Sequence, residues 1–173
     1  MKKLITILIT LGLLISNPFL VKADINYRLL YEWSKQPTVV QNALVRETTS
    51  IDVVNSIPYQ TYLSDTWAVT NTYANGKQVV LNQILIQNEH EECLTHEVGH
   101  VLSTYNHYLY FWTDNYIWDM CYLTEANKQM IFPQSWDNKY EYFACCYEEY
   151  LRFPQYMKVV QPSSYTYMQT VFT

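Results

Sequence analysis

Residues 92–105 read ECLTHEVGHVLSTY, and they hold two of the chain's four histidines, His96 and His100, with Glu97 beside the first. On a helix, positions i and i+4 share a face one turn apart, so both imidazoles can point at a single ion. Glu97 then leans over the open side, where a carboxylate can take a proton from water on the metal. Val98, Val101 and Leu102 give the same helix an apolar face. Gly99 is a poor helix former, and its presence there suits the close approach of another backbone. The spacing therefore predicts a zinc helix with Glu97 as general base.

Catalytic zinc needs a third protein ligand and an open fourth position. A third histidine six residues after the second would suit one zincin branch, but that position is Asn106, and His107 is one residue late. A glutamate from a second helix is the other solution, with Glu125, Glu141, Glu148 and Glu149 as candidates. Glu141 opens EYFACCYEEYLRFP (141–154), where Phe143, Ala144, Tyr147 and Leu151 can pack while Glu141 faces the metal.

The rest of the chain reads as one α+β domain, mostly helical, with a small sheet beside the zinc-binding helix. Helices are expected at 27–36 and 38–47, where apolar residues recur at helical spacing. Strands are expected at 50–54 and 66–73, and Asn75-Gly76 marks a tight turn into QVVLN. The run QILIQ fits either a strand or the approach to the zinc helix. Asn88 followed by Glu91 looks like a helix start, with Glu89, Glu91 and Glu92 in the first turn. Further helices are expected at 113–129, 139–152 (stopped before Pro154) and 163–171.

The N-terminus reads MKKLITILITLGLLISNPFLVKADIN. Two lysines, a short apolar run and a small residue at Ala23 form the pattern of a secretory signal over residues 1–23, which leaves residues 24–173 as a single domain. The run is too short to span a bilayer, which takes about 20 apolar residues. The chain carries a formal charge of −5. Losing Lys2, Lys3 and Lys22 with the leader leaves eight basic residues against sixteen acidic ones. Such a balance repels phosphate, so nucleic acid and anionic lipid are poor partners. An exported chain also meets an oxidising compartment, where Cys93, Cys121, Cys145 and Cys146 can form disulfides.

HEVGHVLSTY, followed 41 residues after His100 by EYFACCYEEYLRFP, resembles the catalytic domain of the anthrax lethal factor family, which includes small secreted Pro-Pro endopeptidases. The similarity runs from about Tyr73 to the C-terminus. It implies a zincin-like metallopeptidase with Zn2+ held by His96, His100 and Glu141, and with Glu97 as catalytic base. It also implies secretion, an extended peptide as substrate and a preference for proline. Two positions depart from the family pattern. Gln134 stands where a tyrosine usually supports the oxyanion, with Tyr140 or a tyrosine of 105–122 as substitutes. Cys145 replaces a glutamate that usually backs the first histidine. From that replacement, a Cys93–Cys145 disulfide clamping the two zinc helices is expected, with Cys146 directed toward Cys121.

Substrate pairing is expected on Gln78–Leu85 as a sheet edge, although an ordinary core strand fits that segment equally. Trp67, Trp112, Trp118 and Trp136 are candidates for side-chain pockets. The departures keep a second reading open, a secreted binding or effector module on the same scaffold with weak or no catalysis. A third, a zinc-binding adhesin, has only the seventeen tyrosines to recommend it.

Overall fold

The computed structural model describes residues 26–46, 49–57, 68–75, 78–104, 115–132 and 138–172. The expected leader, Gly76 of the expected turn, Trp67, His107, Trp112, Gln134 and Trp136 lie outside these residues. The architecture is α+β and mostly helical. Two helices, α1 (Tyr27–Ser34) and α2 (Thr38–Arg46), precede three strands, β1 (Thr49–Val54), β2 (Ala68–Asn75) and β3 (Gln78–Gln87). One 3₁₀ turn (Glu91–Cys93) leads into α3 (Leu94–Thr104). Then come α4 (Tyr116–Glu125) with a 3₁₀ extension (Ala126–Lys128), α5 (Lys139–Arg152), α6 (Pro154–Val160) and α7 (Pro162–Phe172). No helix of the described residues is long and apolar enough to cross a membrane.

The sheet order is β1-β3-β2. β1 runs parallel to β3, from Thr49 opposite Asn82 to Val54 opposite Gln87. β2 runs antiparallel to β3, with Ala68 opposite Ile86 and a register irregularity between Tyr73 and Ala74. Gln78–Leu85 is therefore in the central strand and not at an edge. Ile84, Leu85 and Ile86 are all buried, as a strand covered on both faces requires. Among the described residues, the edge strand on the side of α3 is β2.

Local chemistry explains most boundaries. Asn26 caps α1 by accepting from the Arg28 and Leu29 amides, and Asn115 caps α4 by accepting from the Trp118 amide. Asn88, read as a helix start, does not cap α3. Glu89 adopts φ 74°, which turns the chain after β3 and delays the helix to Leu94. Pro154 ends α5 as expected but also opens α6, because proline's fixed φ and missing N–H suit the first helical position. That helix was not anticipated.

The core lies between the sheet and α5, with α3 at its centre. Ile84 and Ile86 of β3, Val98, Val101 and Leu102 of α3, and Phe143, Cys146 and Tyr147 of α5 form one cluster with Trp118, Met157 and Met168. Trp118 is wholly buried against Tyr142, Phe143 and Tyr167, and its Nε1 donates to the Lys139 carbonyl at 3.1 Å. It is a core residue and lines no substrate pocket.

Helices α3 and α5 cross at Gly99. A β-carbon on Gly99 would stand 2.6 Å from the Ala144 Cα and 3.1 Å from its Cβ. Backbone meets backbone there, and only glycine fits. Gly99→Ala gains about 1 kcal/mol of helix propensity, but the overlap is with main chain and cannot be relieved by a rotamer change. Overpacking against main chain falls at the upper end of the usual range, about 3 kcal/mol, so the net loss is about 2 kcal/mol and the variant is expected to melt several degrees lower. Thermal unfolding followed by circular dichroism checks this; an unchanged or raised Tm would contradict the crossing.

Candidate metal centre

The crossing brings the two motifs together. His96 Nε2 lies 3.1 Å from His100 Nε2 and 2.9 Å from Glu141 Oε1. His100 Nε2 lies 3.2 Å from Glu141 Oε2. The imidazoles meet edge to face, with centroids 4.8 Å apart, so their Nε2 atoms converge while the rings stay clear of each other. Ligands about 2.0–2.1 Å from a tetrahedral zinc stand about 3.3 Å apart. The three observed separations are close to that edge, and two imidazoles with one carboxylate form a familiar donor set for catalytic zinc. The residues fit the ion.

Glu141 is held firmly. Asn138 caps α5 by accepting from the Tyr140 and Glu141 amides, both at 2.9 Å. The carboxylate thus sits in the helix's first turn, where the dipole favours negative charge. Burial works against the charged form of Glu141. Hydrogen bonding and charge from His100 and His96 outweigh it and hold the carboxyl at about 2. Burial likewise disfavours a charged His96, yet its contacts with Cys145, Glu141 and Glu148 raise its pKa well above the usual imidazole value.

Glu97 is almost fully buried, and its carboxylate lies beside both histidines. Thr70 of β2 places its hydroxyl 2.7 Å from Glu97 Oε2 and 3.1 Å from the Glu97 carbonyl. One hydroxyl has one proton, and the charged acceptor makes the stronger bond. The edge strand therefore grips the side chain expected to act as base. Sequence spacing gave no signal for Thr70, since the pairing depends on how the sheet docks against α3.

The other glutamate candidates are engaged elsewhere. Glu125 accepts from the Ser163 and Ser164 amides and from the Ser164 hydroxyl, anchoring the start of α7. Glu149 is buried and accepts from Gln129 and Gln161. Glu148 Oε2 lies 3.6 Å from His96 Nδ1, the ring nitrogen turned away from Glu141. A carboxylate does face the first histidine, then, three residues beyond the place Cys145 fills. Its spacing of seven from Glu141, two helical turns on the same face, was the sequence signal for it.

The cysteines correct an expectation. All four are free thiols, and Cys93–Cys145 is not a disulfide. Cys93 lies in the 3₁₀ turn ahead of α3, so helical spacing does not carry it onto the face of His96. Cys145 is fully buried, with its sulfur near His96 and Glu141. Burial pushes the Cys93 thiol up to about 12 and also raises Cys145. Cys146 donates to Gln161 Oε1 at 3.5 Å and is not bonded to Cys121. Tyr140 precedes Glu141 and is half-exposed, stacked under the Lys139 ammonium.

Compared with protein-family models and with the sequences of curated proteins, the chain matches none. Removing any of the three converging side chains should weaken zinc binding steeply. His96→Ala, His100→Ala and Glu141→Ala are each expected to raise the zinc Kd at least about 100-fold in chelator competition. Glu149→Gln should leave it unchanged. Equal affinity for wild type and Glu141→Ala would remove α5 from the site.

Proposed function

We propose that this chain is a secreted zinc endopeptidase of the lethal factor-like type, acting on extended peptides. The observation that carries the reading is the convergence of His96, His100 and Glu141 with a fourth side chain, Glu97, beside the histidines and tied to the sheet. A purely structural zinc gains nothing from a positioned base and would favour a fourth ligand.

His96, His100 and Glu141 would hold the ion, which when bound supplies a Lewis acid that polarises a peptide carbonyl and acidifies water. The remaining work falls to the chain. Glu97 accepts the proton of the attacking water and delivers it to the departing amide nitrogen. Thr70 fixes the carboxylate oxygen it donates to, leaving the other to meet the water. The β2 edge, which carries Thr70, offers main-chain groups on which an extended peptide can pair. Its scissile bond then lies along the same element that steers the base. The resemblance to the Pro-Pro endopeptidases supplies the substrate preference tested first, namely proline on both sides of the cleaved bond.

Zinc-loaded protein secreted from cells expressing the full chain is expected to cut members of a proline-rich peptide library. Glu97→Gln should lower kcat by about 10²–10⁴ with zinc affinity retained. Thr70→Val, which removes one hydrogen bond to a charged group, is expected to lower kcat on the order of tenfold, with Thr70→Ser restoring it. Mass spectrometry of the digests reads both. Cleavage that persists in Glu97→Gln, or no cleavage of any peptide by the zinc-loaded wild type, contradicts the reading.

A further inference from the structure

We infer that helix α1 is part of the metal centre, holding Arg152 so that Arg152 holds Glu148 and Glu148 orients His96. The inference deepens the zinc reading and rests on it. Glu148 divides its two oxygens. Oε2 faces His96 Nδ1 at 3.6 Å, and Oε1 lies 2.9 Å from Arg152 Nε. Arg152 Nη2 in turn lies 3.4 Å from Glu32 Oε2 and donates to the Glu92 carbonyl. Lys35 meets the other oxygen of Glu32 at 2.6 Å. The chain of contacts thus runs from α1 through the last turn of α5 to the imidazole.

Burial makes each link depend on the next. Glu32 and Glu148 are both buried, and a buried carboxylate is costly unless paired. Arg152 is the cation that touches both, and its rigid guanidinium offers donors in more than one direction. A metal-ligating imidazole ordinarily donates its second ring N–H to an acceptor that fixes its orientation. At 3.6 Å, just beyond hydrogen-bond distance, Glu148 is the carboxylate that faces that buried nitrogen, which makes no hydrogen bond of its own.

A second set of contacts fastens α1 independently. Asn26 Nδ2 donates to Glu91 Oε1 at 2.6 Å. Gln36 Nε2 donates to Thr95 Oγ1 at 3.0 Å and Gln36 Oε1 accepts from Tyr147 at 2.6 Å. These anchors fall on Glu91 and Thr95, just ahead of His96, and on Tyr147, next to Glu148. The helix therefore grips both metal-bearing helices at the level of the first histidine. Glu148, Arg152 and Glu32 are positioning residues in this scheme; none is itself a ligand.

The test uses full-length secreted protein carrying Glu148→Gln, Arg152→Met or Glu32→Gln. A control, Glu125→Gln, breaks a buried carboxylate anchor on α7 away from His96. Zinc affinity is read by chelator competition and ligand geometry by the visible spectrum of the cobalt-substituted protein. Glu148→Gln is expected to weaken zinc binding about 10–100-fold and to shift the cobalt bands. Arg152→Met and Glu32→Gln should weaken it in the same direction by less. Glu125→Gln should lower the melting temperature with affinity and spectrum unchanged, which separates positioning from plain stability. If Arg152→Met does not fold, the near-isosteric Glu32→Gln carries the test of α1. Wild-type affinity and spectrum in Glu32→Gln would overturn the role of α1, and the same in Glu148→Gln would overturn the whole relay. Zinc affinity unaffected by His96→Ala would overturn the metal reading and this inference together.

Discussion

Everything at the site depends on how closely two helices can cross. His96 and His100 leave α3 on one face, and Glu141 leaves the first turn of α5. They meet within about 3 Å because Gly99 lets the Ala144 backbone lie directly against it. A larger residue at either point would lever the helices apart, and imidazole and carboxylate would no longer converge. The glycine carries no chemistry of its own. It sets the distance on which the chemistry depends.

Around that crossing, three carboxylates are given different work by their surroundings. Glu141 stands at a capped helix start between two imidazoles, which stabilise its charge against burial. Glu97 faces the sheet, where a threonine hydroxyl holds one of its oxygens. Glu148 looks at the far side of His96 and is balanced by an arginine. The three share a residue class, and their partners alone suit them to the different roles proposed, as ligand, base and support. Two glutamates that are not part of the site do structural work instead: Glu125 binds the start of α7, and one oxygen of Glu149 accepts from Gln129 and from Gln161, between α6 and α7.

What could be read from sequence follows the range of the interactions involved. The helix that carries both histidines was legible because i and i+4 spacing is local, and α5 was legible because its apolar stripe and the proline after it are local as well. Gly99 as a close-contact residue was readable from its cost in a helix. Glu141 was narrowed to one of four glutamates by residue pattern alone, and the choice among them came from resemblance. Sheet order was not legible: β1 pairs in parallel with β3 across the intervening β2, and nothing nearby in sequence announces a partner that far away. The same holds for Thr70 against Glu97 and Arg152 against Glu32, which lie 27 and 120 residues apart. Proline at 154 misled for a different reason, since one residue can both end a helix and begin the next. The disulfide expectation failed because helical geometry was extended one residue past the point where α3 begins.

Two imidazoles and one carboxylate are proposed to hold zinc in a shell open to water. X-ray absorption at the zinc edge of the loaded protein tests this directly, because sulfur and light atoms scatter differently and imidazoles leave an outer-shell signature. Only nitrogen and oxygen neighbours are expected, at about 2.0–2.1 Å, with two histidines and no sulfur. A sulfur neighbour at about 2.3 Å, bringing Cys145 into the shell, or the signature of a single histidine would contradict this.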